Sequence, residues 1–196
     1  MIRKFPNHVH LDTDIYVADY THYAEDNPDA KGWGVVISGV EPEHIKALKF
    51  NNPNKKHVTA VNFEKNEAVF KPDGLHKVDN CECMLVSEEG HGKRWLALVE
   101  LKYCLEKNIA SNFEDALYQL AATHRYLRDD VRFFGPDDFR YYWIISMPEH
   151  SDRVPFSAFT LSQDDELKYA KEYNSVIIIS DNEVNIWTGT LILQPD

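Results

Sequence analysis

The chain has few of the features that mark disulfide scaffolds, zinc modules or membrane proteins. Its three cysteines, Cys81, Cys83 and Cys104, are odd in number and match no zinc-binding spacing. No hydrophobic run approaches the roughly 20 residues that cross a bilayer, and the first residues lack the apolar core of a signal peptide. We therefore expect a cytoplasmic protein with no membrane segment, in which the neighbours Cys81 and Cys83 pack as small hydrophobic side chains.

Positive charge is also scarce. The 21 Lys and Arg residues face 32 Asp and Glu residues, which gives a formal net charge of −11. Non-specific affinity for nucleic acid comes mainly from basic side chains that neutralise phosphates. The charge balance therefore argues against a broad nucleic-acid surface and suits a module that docks on a basic protein partner. The sequence also has no glycine-rich phosphate loop with its lysine and no serine nucleophile elbow.

Hydrophobic residues make up 43% of the 196 residues, enough for one sizeable core. We predict a single domain over residues 1–196, with a core of about residues 57–147. Its pattern predicts strands at 33–40, 57–63, 67–70, 141–147, 175–180, 184–188 and 190–193, and helices at 41–50, 112–128 and 162–173. The strand at 141–147 is expected beside the one that ends at Glu100.

The helix at 112–128 is the most clearly marked element. Ser111 and Glu114 have the spacing of a capping box at its start. Apolar side chains then recur at helical spacing in Phe113, Leu117, Leu120 and Leu127. Gln119 and Thr123 lie four residues apart on a flank of this stripe, so they either face the sheet or form an ordinary surface pair.

Acidic residues mark two apolar segments that are spaced like the strands of a hairpin. Asp79 and Glu82 precede the first segment, and the second ends in Glu100-Leu101-Lys102. Because strand side chains alternate, Glu100 and Lys102 share one face. The hairpin would bring up to three carboxylates and one lysine together. Carboxylate oxygens suit Mg²⁺, and a lysine beside the ion can orient an attacking water or offset developing charge.

This order of acidic strand, glycine-containing turn, strand ending in E-x-K, and helix resembles the PD-(D/E)xK phosphodiesterase superfamily over roughly residues 78–128. The resemblance implies an α/β, restriction endonuclease-like fold with a central mixed β-sheet flanked by helices. It also implies a nuclease that hydrolyses phosphodiester bonds of DNA or RNA with Mg²⁺ or Mn²⁺. The implied site residues are the ligands Glu82 or Asp79, Glu100 and the Leu101 carbonyl, with Lys102 on the water and Gln119 in support.

Two alternatives remain open at this point. Asp79 and Glu82 differ by an odd number of residues and would face opposite sides of a regular strand, so one of them is not a ligand. Glu82 directly precedes the apolar segment, whereas Asp79 has the more usual residue type. The second alternative is functional: a catalytically silent module of the same fold that recognises a protein or nucleic acid.

A competing metal pattern lies near the N-terminus. His8, His10, Asp12 and Asp14 alternate and would share one strand face. Imidazole ligands favour zinc or another transition metal over Mg²⁺. The polar face of an edge strand explains the same pattern without a metal, and we favour that interpretation.

Overall fold

The computed structural model of the protein describes residues 2–71, 73–88, 94–135, 137–149, 163–179, 182–187 and 190–193. These residues form a mixed α/β structure with two mixed β-sheets and several helices. Sheet A carries helices on one face and sheet B on the other. Among the described residues, no helix is both long and apolar enough to cross a membrane.

Sheet A has six strands in the order β1-β5-β6-β7-β8-β9. They are β1 (His8–Leu11), β5 (Val58–Asn62), β6 (Cys83–Ser87), β7 (Arg94–Leu101), β8 (Phe139–Ser146) and β9 (Ser175–Ile179). The first four pair antiparallel, whereas β7, β8 and β9 pair parallel. The predicted hairpin and the predicted neighbour of the E-x-K strand are both confirmed.

Sheet B has five strands in the order β11-β10-β4-β2-β3. They are β2 (Ile15–Asp19), β3 (Val35–Ser38), β4 (Leu48–Asn51), β10 (Glu183–Trp187) and β11 (Thr190–Leu193). Its described pairs are antiparallel except β10 with β4. Sheet B therefore joins the two ends of the chain, a pairing that local sequence patterns do not reveal.

The helices are α1 (Thr21–Asp26), α2 (Ile109–Arg125) and α3 (Gln163–Tyr173), and α2 continues into a π-helical turn at Tyr126–Asp130. Because α2 begins three residues before the expected Asn112, Ser111 lies in its first turn. Ser111 Oγ donates to the carbonyl of Asn108 at 3.1 Å. The capping-box prediction is therefore wrong, although the helix itself is confirmed.

Two other local predictions are wrong. Residues 41–50 do not form a helix, because His44 has a φ of 74°, which a right-handed helix does not allow. Leu48 and Phe50 instead alternate into the core between the sheets as part of β4. The predicted strand at 67–70 belongs to a 3-10 helix, Glu64–Phe70.

Alternation in sheet A divides the protein into two cores. Met84 and Leu98 face the helices, whereas Leu85 and Ala97 face sheet B. Even-numbered side chains of β7 therefore lie under α2. The same alternation directs Glu100 toward the helical layer, away from sheet B.

Candidate active site

Glu82 lies directly before β6, beside the end of β7. Cys83 is the first residue of β6 and pairs with Val99 of β7, and the charge of Glu100, the residue after Val99, raises the pKa of Glu82. The Glu82 N–H donates to the Val99 carbonyl at 3.0 Å, and the Phe63 N–H donates to the Glu82 carbonyl at 3.1 Å. Neighbouring backbone on both sides thus holds Glu82 at the end of the ladder.

Lys102 links Glu100 to helix α2. Its Nζ lies 2.7 Å from Glu100 Oε1 and donates a hydrogen bond to Gln119 Oε1 at 2.6 Å. The Lys102 N–H donates to the Ser146 carbonyl at 2.9 Å, which fixes the backbone beyond the end of β7. Glu100 and Lys102 side chains are only 1% and 17% exposed, so their ion pair is screened little by solvent.

Thr123 attaches the same helix to the first strand of the hairpin. Its Oγ1 accepts a hydrogen bond from the Cys81 N–H at 2.8 Å and donates to the Gln119 carbonyl at 2.7 Å. Thr123 is fully buried. Helix α2 therefore contacts the chain just before β6 and just after β7. Of the two interpretations left open for Gln119 and Thr123, the one in which both face the sheet holds.

Burial dominates the electrostatics of the two glutamates. Glu100 Oε1 lies 2.7 Å from the Lys102 ammonium, but neither carboxylate oxygen accepts a hydrogen bond of regular geometry from the described residues. Burial raises the pKa of Glu100, and the Lys102 ammonium offsets this only in part. Burial also raises the pKa of Glu82, with the charge of Glu100 adding to the effect. The pair therefore attracts a proton or a cation.

Asp79 and Leu101, the remaining predicted ligands, have different surroundings from Glu82 and Glu100. Asp79 is exposed in the segment that precedes β6, whereas Glu82 is the upstream acid whose pKa is raised by the charge of Glu100. The Leu101 side chain packs in the core between the sheets, and Leu101 pairs with Ser146 in the ladder to β8. A metal contact from the Leu101 carbonyl stays a prediction.

Sequence reasoning missed a further acid, Asp19, at the end of β2. Its charge raises the pKa of both Glu82 and Glu100. The Asp19 N–H donates to the hydroxyl of Tyr103, the residue after Lys102, at 3.4 Å. No sequence signal marks Asp19, because it lies in sheet B and its carboxylate accepts hydrogen bonds from the Thr21 N–H and hydroxyl, an ordinary role for an aspartate in a turn.

In the N-terminal pattern the rings of His8 and His10 meet edge-on, with centroids 5.0 Å apart, but their ring nitrogens contact different groups. His8 Nδ1 lies 2.8 Å from the Phe5 carbonyl, whereas His10 contacts the carboxylate of Glu88. Asp14 pairs with Lys49 at 3.3 Å. Because β1 is an edge strand of sheet A, the interpretation as a polar edge face is confirmed. In the described part of the chain, no three His, Cys, Asp or Glu side chains are arranged as metal ligands.

Comparisons of the chain with protein-family models, with curated proteins and with solved structures gave no match. Any functional conclusion therefore rests on the geometry and chemistry of Glu82, Glu100 and Lys102, which we call the hairpin site.

Proposed function

We propose that the protein is a restriction endonuclease-like nuclease that uses Mg²⁺ or Mn²⁺ to hydrolyse phosphodiester bonds of DNA or RNA. One observation carries the proposal: Glu82, whose N–H donates to the Val99 carbonyl, adjoins Glu100, whose Oε1 lies 2.7 Å from the Lys102 ammonium. Three ionisable groups thus meet at the end of a central hairpin. This is the arrangement that the E-x-K pattern predicts.

The donor set fits a hard divalent cation. Glu100 has two buried carboxylate oxygens without hydrogen-bond partners among the described residues, and Glu82 adds a second carboxylate. Glu82, Glu100 and the Leu101 carbonyl would hold the ion, because Mg²⁺ prefers oxygen ligands and binds through one or two carboxylates. When bound, the cation supplies Lewis-acid polarisation of the phosphodiester and a more acidic water.

The other residues position groups and stabilise charge. Gln119 accepts a hydrogen bond from Lys102 Nζ at 2.6 Å and so fixes the ammonium beside Glu100. From there Lys102 orients the attacking water or offsets negative charge that develops on the phosphate. Thr123 ties α2 to Cys81 and thereby keeps Gln119 in register with the hairpin.

A silent binding module is the second candidate. Two observations favour it: the ammonium of Lys102 already neutralises Glu100 at 2.7 Å, and the net charge of −11 repels nucleic acid. In that case the ion pair is structural, and the acidic surface recognises a basic protein partner.

Turnover of single- and double-stranded DNA and RNA with Mg²⁺ or Mn²⁺ tests the proposal. The assay covers a series of salt concentrations, because salt screens both the repulsion of the substrate by the acidic surface and its attraction to local basic groups. We expect the wild type to cleave at least one substrate and Glu100→Gln to cleave none. Glu114→Gln, which removes an exposed carboxylate on α2, is the matched control and should stay active. A wild type that cleaves nothing but binds a protein partner tightly would support the silent module instead.

A further inference from the structure

A surface cavity of about 660 Å³ lies between β3 and the 3-10 helix Glu64–Phe70. The residues that matter in its lining are Tyr20, Trp33, Gly34, Val35, Glu64 and Lys65. Trp33 is 47% exposed, an unusual state for the largest hydrophobic side chain. An open indole beside a cavity of this size offers a surface for a flat ligand.

The cavity adjoins the proposed catalytic site. The Phe63 N–H donates to the Glu82 carbonyl at 3.1 Å, and the next residue in the chain, Glu64, lines the cavity. On another wall, Tyr20 directly follows Asp19, whose charge acts on both Glu82 and Glu100. A nucleotide chain at the hairpin would therefore pass close to this cavity.

The aromatic wall is held in place by its neighbours. Trp33 meets Tyr20 edge-on, with ring centroids 5.2 Å apart at an angle of 83°. Tyr20 is buried, and its hydroxyl donates to the Glu43 carbonyl at 2.6 Å. A fixed indole is suited to stacking against a nucleobase, which contributes about 1–3 kcal/mol per base in single-strand binding proteins.

The Glu64 carboxylate is fixed beside that wall. Its Oε2 accepts a hydrogen bond from the Val35 N–H at 2.9 Å. A Cβ at position 34 would lie 2.6 Å from Glu64 Cδ, so glycine at this position leaves room for the carboxylate. Because each carboxylate oxygen can accept about two hydrogen bonds, both oxygens keep acceptor capacity beside this one contact.

The Glu64 carboxylate favours one base over the others through the hydrogen bonds that it can accept. A carboxylate only accepts hydrogen bonds, so it prefers a base edge with two adjacent donors. Guanine offers N1–H and the N2 amino group side by side on its Watson–Crick edge, whereas uracil offers one donor between two acceptors. Glu41 and Glu43 also line the cavity and repel a phosphate backbone, while Lys65 provides one ammonium for a single phosphate. The Watson–Crick edge is accessible only in unpaired nucleotides.

We propose that this cavity binds a guanine base of a single-stranded nucleic acid, stacked on Trp33 and hydrogen-bonded to Glu64. Its role in selecting the cleaved strand rests on the proposed nuclease function. Binding of the base does not, because none of Trp33, Glu64 and Lys65 belongs to the hairpin site.

The experiment measures binding of GMP and UMP by calorimetry in EDTA, which removes any contribution from a divalent cation. Wild type should bind GMP about tenfold more tightly than UMP, since a good bidentate contact discriminates by about 1–3 kcal/mol. Trp33→Ala should weaken both nucleotides about tenfold, and Trp33→Phe should retain most of the affinity. Glu64→Gln should lose the preference for guanine.

Glu67→Gln is the matched control, because Glu67 lies on the same 3-10 helix but pairs with Lys71 at 2.8 Å. It should bind both nucleotides as wild type does. The proposal is overturned if wild type binds neither nucleotide or both equally, if Glu64→Gln keeps the preference, or if an oligoarginine peptide alone occupies the site. GMP binding without any nuclease activity would instead retain the guanine site and reject the nuclease proposal.

Discussion

The protein contains two strand patterns rich in ionisable residues. The fold brings the charged groups of one pattern together inside the protein and leaves the other on the edge of a sheet. At the end of the hairpin, Glu82, Glu100 and Lys102 meet beneath α2. On β1, His8 and His10 alternate just as regularly, yet each contacts a different neighbour. The hairpin lies in the middle of sheet A, whereas β1 lies at its edge.

The difference follows from strand geometry. Alternate residues of one strand share a face, but they lie about 6.6 Å apart along it. Residues directly opposite on paired strands have Cβ atoms about 4.5–5.5 Å apart. The end of the hairpin adds the charge of Glu82, from a second segment, to the Glu100 and Lys102 pair, whereas β1 has a neighbouring strand on one side only. Spacing within one strand places Glu100 beside Lys102, and the neighbouring segment supplies the third ionisable group.

The largest effect should come from Lys102, the cation of the hairpin site. Lys102→Met should lower turnover by about a hundredfold or more, because the ammonium acts on charge that develops during reaction. The fold should persist, since the methionine fills a site that is already largely buried. Lys107→Met, which removes an exposed lysine before α2, is the control and should keep wild-type turnover. Equal activity of both variants would make Lys102 a structural residue.

Measurements of metal binding should show which of the two upstream acids, Glu82 or Asp79, is a ligand. Glu82→Gln should weaken Mn²⁺ binding in calorimetry by at least about tenfold, because loss of even an outer-shell partner has an effect of this size. Asp79→Asn should bind nearly as wild type, since Asp79 is exposed and lies three residues before Glu82. The reverse result would move the ligand role to Asp79, and no effect from either variant would discredit the site.

Much of the hairpin region was predictable because its signals are local. The apolar runs of β6 and β7, the helical spacing of α2 and the apolar run of β8 each lie within a short window. The E-x-K pattern also predicted that Glu100 and Lys102 share one face. Helical spacing marked Gln119 and Thr123 as a pair but left open whether they face the sheet, which their contacts with Lys102 and Cys81 decide.

Sheet B was much less predictable because its pairings are distant in sequence. β4 pairs with β10, more than 130 residues later in the chain. Neither Asp19 nor the cavity beside Trp33 has a local signature, since each depends on which strands become neighbours. The prediction of a helix at 41–50 was wrong for a related reason. His44 has a left-handed backbone and Phe50 packs in the core between the sheets, and these effects outweigh the local helix propensity.

A smaller effect should appear in the pH dependence of stability without metal. Burial raises the pKa of Glu82 above its ordinary value of 4.5. The folded state therefore keeps a proton that the unfolded state loses, and the free energy of unfolding falls as the pH rises from 4.5. Glu82→Gln does not titrate, so its stability relative to wild type should increase over this range. We expect a gain of at least about 1.4 kcal/mol, the equivalent of one pKa unit.

Urea denaturation in EDTA at a series of pH values measures this gain. Asp79→Asn is the control, and its stability should follow the wild-type curve because the carboxylate it removes is exposed. A constant difference between Glu82→Gln and wild type at every pH would show that burial does not control the ionisation of Glu82.

The smallest effect is expected on the edge strand. Substitution of both His8 and His10 by asparagine should leave Zn²⁺ and Mn²⁺ affinity unchanged, because their ring nitrogens contact separate partners. The free energy of unfolding should change by no more than about 0.5 kcal/mol, as is usual for surface substitutions. Calorimetry and urea denaturation, with Glu100→Gln as the variant that should lose Mn²⁺, provide the measurement. A marked loss of zinc affinity would mean that β1 does gather ligands, and that an edge strand can concentrate charge as the paired strands of a hairpin do.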